Sequence, residues 1–225
     1  MDDDRANPTS NLRLIFAPAL ISLVVTLLRL LGELQHWSGK WFSTETGGVL
    51  PSGLTWLIGI TWLPIPFGVY FAVKLAAAGQ KPASTAKAVA YPLLGLLITL
   101  GGLLGLVSRV PVRFPHILII IWVIMAIAAI SQFPGWPALA KVLLAYGLAA
   151  RIPIVLVMLL AMHGNWGTHY DYVGITLPSP MDFWSRFFWL AFFPQTVFWV
   201  GFTILIGSLS GSLAYVTWCR QKHSP

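Results

Sequence analysis

The chain has 225 residues, 57% of them hydrophobic and 9% charged, against about 25% charged in an ordinary soluble domain. Its mean hydropathy is +0.77, and its apolar runs are too many to hide in the core of one 24.7 kDa chain. A soluble enzyme is thereby excluded, and the composition implies an all-α, polytopic transmembrane bundle. The formal charge of +7 comes from 14 Lys and Arg scattered in ones and twos beside apolar runs, which is not the basic stripe that a nucleic acid partner needs.

The acidic start, MDDDRANPTSNLRLIF, leads into a long apolar run with no small-residue cleavage signature. This first run is therefore expected to stay in the bilayer. Six spans are predicted, over residues 12–34, 54–78, 88–107, 116–131, 138–162 and 187–218. A hydrocarbon core of about 30 Å needs roughly 20 helical residues. Five runs meet this, and the fourth is short enough to be re-entrant.

Charge decides how the fourth run is read. With six crossings and the N-terminus inside, Arg5, Arg13, Lys74, Lys81, Lys87, Lys141, Arg220 and Lys222 are cytoplasmic, against Lys40, Arg109, Arg113 and Arg186 outside. If the fourth run does not cross, the split becomes even. The positive-inside rule thus favours six spans in the cytoplasmic (inner) membrane with both termini cytoplasmic. The domains read as a tail over 1–11, one membrane domain over 12–218 and a second tail over 219–225.

The last run exceeds one perpendicular crossing, and Pro194 is expected to divide it, leaving FWSRFFWLAFF as an outer interfacial helix. Trp37, Trp41, Trp56, Trp166 and Trp184 fall near the same boundary, as an aromatic belt would place them. The halves show no matching motif, so an inverted repeat is not indicated. Gly101 and Gly105, and Gly207 and Gly211, form GxxxG faces, which serve helix packing within the fold or a dimer.

Arg151 is the most informative single residue, ten residues from Lys141 and twelve from His163. An Arg at a helix centre costs about 2.5–3.5 kcal/mol on the insertion scale, so it should face a partner, a watery cavity or a bound anion. Pro153 frees the Ala149 carbonyl, and Pro64 and Pro66 lie at comparable depth in the second run. Together they suggest broken helices around an anionic ligand. The structural alternative is that Arg151 bonds carbonyls or Tyr146 to hold helices together.

Arg29 and Glu33 are four apart on one helix face, with His36 beyond them, and Glu33 is the single acid inside any predicted span. The local ion pair is the favoured reading, since it lowers the insertion cost of both ends. The alternatives are that Glu33 pairs with Arg151 or relays a proton with His36, as a coupling carboxylate would. His163, His169 and Asp171 in MHGNWGTHYD are the residues that would hold a metal. Their spacing fits no metal motif, and neither metal nor cofactor is expected.

No nucleophile elbow, phosphate loop or dinucleotide fingerprint occurs, so an enzyme is disfavoured. Three readings stay open. The first is a small transporter or solute-conducting protein taking an anionic small molecule or lipid, with Arg151, Glu33, Arg29, Pro153 and Pro66 at its site. The second is an assembly subunit that docks a membrane-protein partner or a second copy, and the third is an outer-face metal enzyme.

Overall fold

The computed structural model describes residues 8–44, 54–107, 115–171 and 181–219. It is all-helical. Six helices follow in order: α1 (Pro8–Leu34), α2 (Pro64–Ala77), α3 (Thr85–Gly101), α4 (His116–Ile130), α5 (Pro137–Gly164) and α6 (Phe183–Trp218). Four stretches are long and apolar enough to cross a membrane, at Leu12–Leu34, Thr85–Gly105, Pro137–Gly164 and Phe183–Trp218. Leu97, Leu104 and Phe16 are each 68% exposed, within a wide apolar surface that water would not tolerate. The chain is accordingly a multi-pass membrane protein.

Local chemistry sets the helix ends. Ser84 caps α3 by accepting from the Lys87 backbone N–H, and Asp182 caps α6 by accepting from that of Ser185. Asn165 ends α5 in the left-handed conformation with φ 49°, a form that Asn tolerates better than most residues. Pro64 opens α2 at its first helical position, where the missing N–H has no helical partner to lose.

That last point corrects the second predicted span. Residues 54–63 hold a 3-10 turn, Thr55–Ile58, followed by turns, and regular helix starts only at Pro64. Pro64 and Pro66 therefore begin a 14-residue helix and do not break a longer one at mid-depth. At about 1.5 Å per residue α2 is roughly 21 Å long. The expected division of the last run is also absent, because α6 continues through Pro194 for 36 residues. It does so by widening into π-helical turns at Phe188–Phe192 and Pro194–Trp199, a register that accommodates the proline ring and its missing donor.

α6 is the centre of the bundle. α2, α3, α4 and α5 all pack on it, whereas α1 packs on α5 and on the 3-10 turn. A Cβ at Gly68 would strike the Gly207 carbonyl, and one at Gly211 would lie 2.6 Å from the Gly68 carbonyl. One GxxxG face thus seats α2 against α6. Gly101 and Gly105 have open space where a side chain would go.

Contacts between helix ends give the directions. Trp136, before α5, packs on Tyr215 near the end of α6 and donates its indole N–H to the Gln80 carbonyl beyond α2. Gly135 lies against Tyr91 and Lys87 at the start of α3. At the opposite end His163, late in α5, meets Phe183 at the start of α6, and Glu33, late in α1, meets His169 beyond α5. Successive helices therefore alternate in direction, with α1 and α5 parallel.

Candidate functional site

Ser22, Thr26, Arg29 and Glu33 recur at helical spacing and form one polar stripe on α1. Ser22 and Thr26 are buried, and Glu33 is 2% exposed. The Ser22 hydroxyl donates to the Pro18 carbonyl at 2.9 Å, so the Tyr146 hydroxyl, 2.8 Å away, is left to donate to Ser22. Tyr170 donates its hydroxyl to the Thr26 carbonyl at 3.1 Å. At the end of the stripe Glu33 accepts from Arg29 Nε at 2.9 Å and from the His169 backbone N–H at 2.9 Å. His169 Nδ1 lies 2.8 Å from Glu33 Oε2 and 2.6 Å from Oε1. In an apolar solvent such bonds join close packing in attaching one helix to another.

The turn that carries His169 is braced from below by Asp171. Its carboxylate accepts from the Gly167 and Thr168 backbone N–H groups at 2.9 and 2.7 Å and from the Thr168 hydroxyl at 2.7 Å. Gly167 turns with φ 73°, a conformation in which a Cβ would be strained. Burial pushes the Asp171 carboxyl up, but the Thr168 hydroxyl and the backbone donors outweigh it and hold the group below its ordinary value. Burial pushes the His169 imidazole down; the Arg29 cation adds to this, and together they outweigh Glu33. Burial likewise raises the Tyr170 phenol. His169 thus sets Nδ1 against a carboxylate while its ring is held below its ordinary value.

Arg151 stands in a different setting on α5. It is 4% exposed. Its Nη1 donates to Gln195 Oε1 at 3.1 Å, its guanidinium carbon lies 4.9 Å from the centre of the Trp199 ring, and its Nη2 has no hydrogen-bond partner among the described residues. Among the described residues no carboxylate pairs with it. Gln195 is itself steadied by its Nε2, 3.6 Å from Met158 Sδ. Both Gln195 and Trp199 belong to the π-helical turn Pro194–Trp199, and such turns concentrate at functional sites.

Glu33 joins Arg29 and His169, not Arg151, while His36 is exposed at φ 51°. Pro153 is half-buried two residues from Arg151, and Pro66 is exposed on the first turn of α2; α2 reaches Tyr146 instead through Phe67 and Phe71, at ring separations of 5.3 and 5.5 Å. His163 turns to Phe183, His169 to Glu33 and Asp171 to its own turn, so the three do not converge. Among the described residues no cluster of three or more His, Cys, Asp or Glu is placed to hold a metal.

Sequence reasoning missed Gln195, Trp199, Tyr170, Ser22 and Thr26. The last two had a signal, the spacing of hydroxyls in line with Arg29 and Glu33. Gln195 and Trp199 had none, because their relation to Arg151 exists only across the α5–α6 contact. Compared with family models, with curated proteins and with solved structures, the chain matches none of them.

Proposed function

We propose that the protein is a six-span bundle of the cytoplasmic membrane, with both termini cytoplasmic, that moves an anionic solute using Arg151 as its anion contact. The orientation draws on the excess of Lys and Arg in the inner connections, and the alternating helix directions agree with six crossings. The observation that carries the reading is the unpartnered Nη2 of Arg151 in a side chain 4% exposed. A buried cation with neutral partners keeps most of its desolvation cost. An arriving anion offsets that cost, and the cost is then the source of affinity.

A thermal-shift series on wild type and Arg151→Gln, in nonionic detergent at fixed salt, tests this. Anions that bind the native state raise its melting temperature by mass action, and the variant should lose that response while keeping most of its basal stability. A wild type that responds to no anion, together with a variant destabilised by more than about 3 kcal/mol, the cost of stranding buried partners, would make Arg151 structural. The assembly-subunit reading then takes over, favoured by the uncovered Gly101 and Gly105 in the sparsely buried stretch Thr85–Gly105.

A further inference from the structure

Resting on that reading of Arg151, we propose further that its ligand is the singly charged head of a membrane amphiphile, which enters sideways from the bilayer between α5 and α6. Arg151 is buried, yet the two side chains that hold it, Gln195 and Trp199, are only half-buried and form part of the lateral wall. The neighbouring surface is apolar: Leu148, Ile152 and Leu156 on α5 are 37, 52 and 55% exposed, and Phe193 on α6 is 37% exposed. A hydrated anion would have to shed its water against such a wall, at a cost of several kcal/mol. An amphiphile approaches with its tail already in the hydrocarbon.

The wall is also built to yield. Gln195 is held by one bond to Arg151 and by a contact to the Met158 sulfur, which is a weak acceptor. The backbone beneath it is π-helical and starts at Pro194, which has no N–H to give. Displacing Gln195 uncovers both guanidinium nitrogens, a fork that matches two oxygens of one anionic group. The charge is set by the count: one guanidinium, with no carboxylate paired to it among the described residues, balances one negative charge. A long-chain carboxylate and a phosphodiester lipid head share that chemistry.

The experiment uses the full chain in nonionic detergent, with four probes at matched free concentration: oleate, acetate, lysophosphatidylglycerol and dimethyl phosphate. Either amphiphile should raise the melting temperature, with an apparent affinity at least about tenfold above that of its soluble counterpart. Which of the two does so identifies the head group. The response should vanish in Arg151→Gln and persist in part in Arg151→Lys, which also serves if the Gln variant does not fold. A diazirine-bearing long-chain carboxylate should crosslink within residues 192–199, less so in Gln195→Leu. Equal stabilisation by acetate or dimethyl phosphate would overturn sideways entry and leave the anion contact standing. No response to any of the four would overturn both.

Discussion

Arg29 and Arg151 are both withdrawn from water inside helices of the same membrane bundle, and their surroundings differ in one respect. Arg29 has a carboxylate four residues along its own helix, and that carboxylate is completed by a backbone N–H and an imidazole from another segment. Arg151 has an amide oxygen, an indole face and, among the described residues, no partner for its Nη2. The first arrangement pairs a cation with a carboxylate. The second has no carboxylate paired among the described residues. The bundle pairs a cation with a carboxylate at Arg29 and, among the described residues, does not do so at Arg151, and that difference is what the proposal of an anion contact draws on.

The comparison breaks most sharply at Glu33. Replacing it with Ala strands the Arg29 guanidinium and the His169 donors, and unfolding in mixed micelles should show a loss of about 3 kcal/mol, the low end of what breaking a buried pair costs. Arg151→Gln should lose less than about 1 kcal/mol, since neutral partners can bond an amide nearly as well. A loss at Arg151 equal to that at Glu33 would mean that both cations are structural and that the contrast is false.

A smaller effect sharpens the account of how α1 is attached. Ser22→Ala removes the acceptor of the Tyr146 hydroxyl and should cost roughly 0.6 kcal/mol, the usual worth of an interhelical bond in lipid. The same change made at Ser210, which bonds the Gly207 carbonyl of its own helix, should cost less. If the two are equal, the stripe on α1 does not hold the helix.

The smallest effect is in acid and concerns the turn alone. The His169 ring is held below the ordinary value of about 6.5, so as pH falls past that value the unfolded chain takes up a proton that the native chain refuses, and stability declines. The Asp171 carboxyl is depressed too; its contribution is complete above the ordinary carboxylate range and is lost as pH falls through its lowered native value. His169→Gln should remove the first decline and Asp171→Asn the second, while Arg151→Gln leaves both in place. Thermal unfolding against pH separates these outcomes.

What could be read in the sequence follows from the range of each interaction. The Arg29–Glu33 pair is local, and the i,i+4 rule finds it; the third member, His169, lies 136 residues away from Glu33 and only the packing of α1 along α5 brings it near. The apolar runs are legible because lipid selects them residue by residue. The start of α2 is not, since residues 54–63 are as apolar as the helix that follows and hydropathy does not distinguish a 3-10 turn from an α-turn. Pro194 misled for a related reason. A proline states that one hydrogen bond is missing, and whether the helix breaks or widens depends on neighbours such as Trp122, which stacks on Trp189 at 5.3 Å and packs against Phe193.

The central position of α6 also bears on how the protein is made. It follows the other five helices in the chain, yet four of them use it as their common wall. Until that last segment is made, the faces of α2, α3, α4 and α5 that it covers, Gly68 among them, lack their partner. A chain ending before residue 183 would keep the contacts of α1 and α2 with α5 and of α3 with α4, and would lose the wall that joins those pairs to each other.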